Sequence, residues 1–120
     1  MNDYARLLMD QAGAFSANDA DALGEVIAPD FASFLIKDGA PQQRTANRDE
    51  TIARMRQMFA AVPLMGSRLQ QVMVVGDHVV AVEKDTYSSG GGEKTTTTLG
   101  VYHMKDGKIW RAYSFPIAEE

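Results

Sequence analysis

The second half of the chain, residues 67–115, repeats one pattern that restricts the fold more than any other feature of the sequence. Segments rich in Val, Thr and Tyr are separated by three short segments that contain glycine, namely GD, SSGGGE and DG. β-Branched and aromatic residues favour strands, and glycine permits the backbone conformations that hairpin turns need. This half is therefore predicted to be an antiparallel meander of four strands.

Two helices are predicted at the start of the chain. From Asp3 to about Ala17, apolar side chains recur at helical spacing, which is typical of an amphipathic helix. A second, short helix is predicted to begin at Asn18 as its N-cap and to end before Pro29, because proline removes a helical hydrogen-bond donor.

Three further elements are predicted before the meander. Residues 31–36, FASFLI, have the composition of a strand. Residues 37–46, KDGAPQQRTA, are polar and are interrupted by glycine and proline, which predicts a loop. Asn47 and Glu50 form a capping-box pattern at the start of a third helix over residues 47–62. Helices thus precede a sheet, which is the α+β fold class.

Composition limits the function classes. A chain of 120 residues is expected to form one domain over residues 1–120, and its net charge of −4 with no basic block argues against nucleic-acid binding. The chain has no cysteine, so thiol chemistry and cysteine-ligated metals are excluded. It shows no secretory signal and no apolar run long enough to cross a bilayer, so we expect a cytoplasmic protein without membrane contacts.

Turn length predicts which side chains share a face of the last hairpin. With Asp106 and Gly107 as a two-residue turn, His103 lies opposite Trp110. One face then carries Leu99, Val101, His103, Trp110, Ala112 and Ser114, and the other carries Tyr102, Met104, Ile109, Arg111, Tyr113 and Phe115. Both faces are largely apolar, so each needs a cover.

Helices can cover one of these faces, and we expect a second copy of the chain to cover the other. The predicted homodimer surface consists of Tyr102, Met104, Arg111, Tyr113 and Phe115. The alternative is a terminal segment that folds over the same face.

The charged stretch AVEKDTY, residues 81–87, is predicted to split between the two faces. A loop over residues 88–93 would place Lys84 opposite Thr97 and Glu83 opposite Thr98. Lys84 and Thr86 would then share the face of His103, and Glu83 and Asp85 would point away as solvated or cross-subunit ion pairs. A slip of one residue in the loop would reverse this, and the two acids could then divide acid and base roles or bind a metal.

Three stretches resemble a known family. VAVEKDT, GVYHM and DGKIWRAYSF are similar to the V-x-x-E-R-x-D, G-V-[FY], D-G-K-I and W-R-D-Y motifs of the SnoaL-like polyketide cyclase and limonene-epoxide hydrolase branch of the nuclear transport factor 2-like superfamily. The resemblance implies a cystatin-like cone, in which a curved antiparallel sheet wraps around N-terminal helices and leaves a pocket inside.

The resemblance also implies where catalytic residues would lie. In the epoxide hydrolases an arginine and two aspartates activate a water molecule, and an alignment on Glu83 assigns those positions to Lys84, to Thr86, and to Ser114 or Ala112. The aspartate and tyrosine of ketosteroid isomerase align with about Leu35 and Gln11. Hydroxyls cannot replace a carboxylate that must accept a proton, so the usual acids are expected to be absent.

Lys84 and His103 are the candidate catalytic residues. Desolvation in an apolar cone would make Lys84 a base or an anchor for an anionic ligand, and the alternative is an ion pair on the sheet or a side chain that reaches out to water. His103 beside Trp110 could act as a general acid or base next to a stacking platform, or could be a partly solvated residue near the hairpin tip. The remaining pocket residues are expected to be Phe15, Phe34, Thr86, Thr97, Trp110 and Ser114.

We expect neither a cofactor nor a metal site, because SSGGGE lacks the spacing of a phosphate-binding loop, and His78 and His103 share no ligand spacing with a carboxylate. The expected function is the binding of a small hydrophobic molecule in the cone, and catalysis stays an open question. One alternative is a SnoaL-like isomerase, cyclase or hydrolase that uses Lys84 and His103. The other is a protein-interaction module that uses the sheet face.

Overall fold

The computed structural model describes residues 3–119, without the side chains of residues 89, 118 and 119. Within this part the chain forms three helices and six strands. They are α1 (Asp3–Ser16), α2 (Ala20–Val26), β1 (Ile27–Lys37), β2 (Ala40–Thr45), α3 (Arg48–Ala61), β3 (Leu64–Val75), β4 (His78–Ser89), β5 (Gly92–Lys105) and β6 (Lys108–Glu119). The predicted α+β class is confirmed. Among these residues no helix is long and apolar enough to span a bilayer.

The strands form one curved, unclosed sheet in the order β2-β1-β6-β5-β4-β3. β1 and β6 are parallel, and the other neighbouring strands are antiparallel. Helix α1 packs on β3 and α2, while α3 packs on α2 and β1, so the helices cover the concave face of the sheet. The largest fully buried side chains lie between these layers: Leu8, Ile27, Val79, Met104 and Ile109.

One of the two predicted helix N-caps is confirmed and the other is wrong. Asn47 caps α3, and its side chain accepts a 2.8 Å hydrogen bond from the backbone N–H of Glu50. The predicted N-cap of α2 is wrong, because Asp19 occupies that position and accepts from the N–H of Ala22. Asn18 has a left-handed backbone (φ 53°), and its amide instead bonds both backbone groups of Leu64, which fixes the end of α1 to β3.

The predicted loop over residues 37–46 contains a strand. β1 is longer than residues 31–36, and Asp38 and Gly39, both with positive φ, turn the chain into β2. The sequence of β2, APQQRT, is polar because β2 is an edge strand whose side chains are exposed apart from that of Thr45. Its hydrophobic pattern therefore gives no strand signal.

The β4–β5 hairpin has the predicted register with a shorter turn. Lys84 lies opposite Thr97 and Glu83 lies opposite Thr98, as predicted. Pairing continues to Ser89 and Gly92, so residues 90 and 91 form the turn rather than residues 88–93. The register is unchanged because two residues on each strand, 88–89 and 92–93, join the pairing.

The β5–β6 hairpin departs from the predicted register at a β-bulge. Lys105 pairs with Lys108 across the predicted turn and Met104 pairs with Ile109, but His103 pairs with Arg111 rather than with Trp110. Trp110 is the additional residue of the bulge, which shifts the pairing of residues 111–116 by one position, and a second irregularity shifts the pairing again before Ala118. The predicted pairing of His103 with Trp110 is therefore wrong.

The bulge and the sheet curvature change the predicted faces. The concave side carries Tyr102 and Met104, which are predicted above to lie on the dimer surface, together with Ile109, Ala112 and Ser114. The convex side, called here the outer face, carries Leu99, Val101, His103, Arg111, Tyr113 and Phe115. Both sides are apolar in sequence, so composition alone does not identify the concave one.

Candidate active site

A cavity of about 230 Å³ lies between the concave face of the sheet and the three helices. Strands β1, β2, β4, β5 and β6 supply one wall, and α1, α2 and α3 supply the other. Most of the lining is hydrophobic and comes from Phe15, Leu23, Ile27, Phe31, Leu35, Met55, Ala112 and Pro116. A concave, mainly apolar cavity with a few polar groups is the usual form of a small-molecule site.

Two carboxyl groups, those of Glu83 and Asp85, line this cavity. Residues two apart on a strand face the same side, so Lys84 between them points to the outer face. The predicted orientation of the stretch 81–87 is thus reversed, although its pairing with β5 is correct. The reversal follows from which side of the sheet the helices cover.

Glu83 is bound to Tyr102 from the neighbouring strand. The phenolic O–H of Tyr102 donates a 2.5 Å hydrogen bond to Oε2 of Glu83. Burial raises the pKa of the Glu83 carboxyl to about 7, and the charge of Asp85 acts in the same direction, whereas the Tyr102 hydrogen bond opposes the shift. Near neutral pH this carboxyl is therefore present in both protonation states, as a general acid or base requires.

Gly100 leaves the space that the Glu83–Tyr102 pair occupies. A Cβ atom at this position would lie 2.6 Å from Oε2 of Glu83 and 2.6 Å from the ring of Tyr102. Real Cβ atoms do not approach other atoms so closely, so any side chain at residue 100 would displace the pair. The glycine in TTTTLGVY is therefore a packing requirement of the site.

Asp85 and Gln11 extend the polar part of the cavity. Burial raises the pKa of the Asp85 carboxyl, and a hydrogen bond with Ser67 partly offsets the effect. Gln11 hydrogen-bonds Tyr102, whose pKa lies well above 10 because burial and the charge of Glu83 both favour the neutral phenol. Among the described residues, Oδ1 of Asp85 and Oε1 of Gln11 are buried without a hydrogen-bond partner.

A chain of hydroxyls forms a second polar zone in the cavity wall. Ser33 Oγ lies 2.6 Å from Thr45 Oγ1, Thr51 donates to Thr45 at 2.8 Å, and Thr51 also lies 2.8 Å from the backbone oxygen of Asn47. These hydroxyls satisfy one another, unlike the acceptors beside Tyr102. Among the described residues, the buried polar atoms without a hydrogen-bond partner therefore lie at the end of the cavity that holds Glu83 and Asp85.

The predicted site residues divide between the two sides of the sheet. Phe15 and Ser114 line the cavity, as do Gln11 and Leu35, the positions aligned with the ketosteroid isomerase residues. Lys84, Thr86, Thr97, Phe34, His103 and Trp110 do not line it. Lys84 and Thr86 border a separate depression on the outer face, and Phe34 stacks on Tyr113.

The sequence contains a signal that Glu83 and Asp85 act together, although the predicted orientation places them away from the cavity. Glu83 and Asp85 stand two apart in a segment that otherwise alternates as a strand, so they necessarily share one face. The alignment on Glu83 placed the first family aspartate at Thr86, whereas the structure places Asp85 in the cavity. Thr86 is the next residue along the strand and therefore faces the other side of the sheet.

Comparisons with known proteins identify the family and the fold. The family model described as the SnoaL-like domain matches residues 8–112. A search of curated proteins finds no match.

Several solved structures share the fold. A Mycobacterium tuberculosis LEH-like epoxide hydrolase has a TM-score of 0.80 at 16% identity, covering 96% of this chain and 83% of its own. A Bacillus subtilis protein named as a candidate isomerase has a TM-score of 0.81 at 14% identity. The match covers 98% of this chain and 90% of the Bacillus protein. A Jannaschia sp. CCS1 protein named as a candidate SnoaL-like polyketide cyclase has a TM-score of 0.76 at 16% identity, covering 95% and 85%. At these identities the likeness concerns the fold.

Proposed function

The chain belongs to the SnoaL-like domain family, and on this premise we propose that it binds a small, oxygen-containing organic molecule in the cavity and transfers a proton on it, with Glu83 as the base. The observation that carries the proposal is the Glu83–Tyr102 hydrogen bond inside an apolar cavity. Lys84 and His103 have no part in it, because they do not line that cavity.

Glu83 has the properties of a general base. Its pKa of about 7 keeps a large ionised fraction at neutral pH while leaving the carboxylate basic enough to accept a proton. Tyr102 binds Oε2 and so leaves Oε1 as the oxygen that can approach a ligand. The mainly apolar lining offers few polar groups that would compete with a ligand for the carboxylate.

Asp85 fits the complementary role of hydrogen-bond donor. Its pKa is raised by burial, and its Oδ1 atom has no partner among the described residues. A proton on this atom would turn an unpaired acceptor into a donor for an oxygen atom of the ligand, where negative charge develops after proton removal. Two carboxyls in different environments can thus divide the roles of base and acid.

The cavity also limits the ligand. A volume of about 230 Å³ with mainly hydrocarbon walls favours a compact molecule with one polar end, and the exposed Arg54 is a cation in the lining. A small cyclic ketone satisfies these conditions, since its carbonyl oxygen can accept from Asp85 and its α-hydrogen can be removed by Glu83.

Deuterium exchange into cyclohexanone tests the proposal without knowledge of the natural substrate. In D₂O the protein is expected to accelerate α-hydrogen exchange, measured by ¹H NMR, with a rate that rises as the pH passes through about 7. The rate of exchange with the Glu83→Gln variant should be at least tenfold lower than with the unmodified protein, because a general base typically contributes about 10²- to 10⁴-fold.

Lys84→Gln is the matched control, since it changes the adjacent charged residue on the opposite side of the same strand. Its exchange rate should equal that of the unmodified protein. Equal rates for Glu83→Gln and the unmodified protein would refute the assignment of the base. Cyclohexanone could also shift the Met55 methyl resonance without any α-hydrogen exchange. That result would show binding in the cavity and would refute proton transfer.

We also propose that the outer face forms a homodimer. Its apolar side chains are only partly exposed in one chain and form a continuous patch of Phe34, Val80, Val82, Leu99, Val101, Tyr113 and Phe115. Tyr102 and Met104 cannot belong to this surface, because they are 3% and 1% exposed inside the cone. A patch of this kind is rarely left in contact with water.

A further inference from the structure

Asp77, His78 and His103 form a cluster at one end of the sheet, away from the residues that line the cavity. Asp77 lies in the turn between β3 and β4, His78 begins β4, and His103 lies directly opposite His78 on β5. The two imidazole rings stack with their centroids 4.2 Å apart. Strand pairing therefore brings both histidines of the chain to one point.

The three side chains direct their ligand atoms toward one another. Nδ1 of His78 lies 2.8 Å from Oδ1 of Asp77, and Nε2 of His103 lies 3.0 Å from Oδ2 of the same carboxylate. One ligand atom from each residue lies within 4.8 Å of the others. From this geometry we propose that Asp77, His78 and His103 bind a Zn²⁺ ion. The proposal is independent of the function assigned to the cavity.

Zinc chemistry suits this set of ligands. Imidazole nitrogen and carboxylate oxygen bind Zn²⁺ at about 2.0–2.2 Å, so ligand atoms around a tetrahedral ion stand about 3.3 Å apart. The side chains of Asp77, His78 and His103 are 56%, 43% and 29% exposed, which leaves them free to open by the small rotations needed. Three protein ligands leave a fourth position for water or an added ligand.

Metal binding requires a change of protonation at the two nitrogens. Each imidazole nitrogen that faces Asp77 must present a lone pair to Zn²⁺, so a neutral ring moves its proton to the other nitrogen and a charged ring releases one to the buffer. Asp77 then binds the ion instead of accepting hydrogen bonds. The backbone supports this arrangement, because the N–H of Met104 donates a 2.8 Å hydrogen bond to the carbonyl oxygen of Asp77.

Neighbouring charges should limit the affinity. Trp110 packs edge-on against His103 at 5.1 Å, and Lys105 and Arg111 lie over the indole ring at 4.7 and 3.9 Å. These cations oppose a divalent ion, and Asp30, which accepts from the indole N–H, offsets them in part. Trp110 is also the single tryptophan of the chain, so all tryptophan fluorescence comes from a residue in contact with His103.

Titration of the full chain with ZnCl₂ at pH 7.5, followed by calorimetry, tests the proposal. One Zn²⁺ per chain is expected, and Co²⁺ or Cu²⁺ should quench Trp110 fluorescence with the same stoichiometry. His78→Gln, His103→Gln and Asp77→Asn should each weaken Zn²⁺ binding at least tenfold. Asp106→Asn is the matched control, because Asp106 is the turn aspartate of the β5–β6 hairpin and its positive φ of 53° tolerates asparagine. It should bind within twofold of the unmodified chain.

A measurement on the unmodified chain guards against a variant that fails to fold. Zn²⁺ should shift the ¹⁵N resonances of His78 Nδ1 and His103 Nε2 and leave the residues of the cavity unchanged. Failure of the unmodified chain to bind Zn²⁺ at millimolar concentration would refute the proposal. Equal binding by a folded His78→Gln/His103→Gln variant would also refute it.

Discussion

The hydroxyl of Tyr102 donates a hydrogen bond to Oε2 of Glu83, and this contact joins the inward faces of β5 and β4 within the cavity. The two groups affect each other's titration. The hydrogen bond lowers the pKa of Glu83 against the larger effect of burial, while the charge of Glu83 raises the pKa of Tyr102. The pair therefore keeps a neutral phenol beside a carboxyl that titrates near neutral pH.

Protein stability should decrease as the pH rises through the range set by Glu83. Its pKa is about 7 in the folded chain against an ordinary value of 4.5 for a glutamate carboxyl, so between these values the folded state holds a proton that the unfolded state has lost. The free energy of unfolding should therefore be lower at pH 8 than at pH 5, by about 3 kcal/mol at most. The pKa of Asp85 is also raised, so its ionisation likewise lowers the free energy of unfolding as the pH rises. Chemical denaturation at a series of pH values measures this.

The Glu83→Gln variant should remove most of that pH dependence. At pH 8 its free energy of unfolding should exceed that of the unmodified chain by about 1–3 kcal/mol, because its amide carries no charge to bury. At pH 5 the variant should have no such advantage. Glu93→Gln, at an exposed position of β5, is the control and should leave the pH dependence in place. An unchanged profile for Glu83→Gln would show that another group causes the dependence.

Tyr102→Phe should raise the pKa of Glu83 above its value of about 7. The change removes the hydrogen bond that stabilises the carboxylate and retains the ring and its burial. Titration of the Glu83 side-chain carbon by ¹³C NMR gives the pKa directly. Tyr113→Phe is the control, since Tyr113 stacks on Phe34 on the outer face and should not alter this titration.

Gly100→Ala should destabilise the chain and separate Glu83 from Tyr102. The added methyl group would lie 2.6 Å from both side chains, and overpacking of this kind costs about 1–3 kcal/mol. Gly92→Ala, on the same strand, meets no atom within 4 Å and should have little effect. Thermal unfolding compares the two, and equal melting temperatures would contradict the packing role of Gly100.

The proposed dimer should have a mass of about twice 13.1 kDa by light scattering. Phe115→Asp is expected to give monomers, because it places a charge within the apolar patch on the outer face. Met9→Asp changes an exposed methionine on the helical side and should remain dimeric. A monomeric unmodified chain at micromolar concentration would argue against the dimer.

Much of the fold could be predicted because its signals are local. Asn47 and Glu50 mark a helix start by their spacing, and Asp106 with Gly107 forms the expected two-residue turn. β2 was missed because a polar edge strand has no hydrophobic pattern. The bulge at Trp110 was missed because an additional residue in a strand has no signature in its own sequence and depends on how the strand bends.

The sequence by itself determined the order of the elements, the family resemblance and the pairing of Lys84 with Thr97, since these depend on residue types and turn lengths along the chain. Only the tertiary structure decided that Glu83 and Asp85, rather than Lys84 and Thr86, face the cavity. Strand alternation divides side chains into two sets and does not say which set lies inside. That choice depends on which side of an apolar sheet the helices cover, and packing between distant segments decides it.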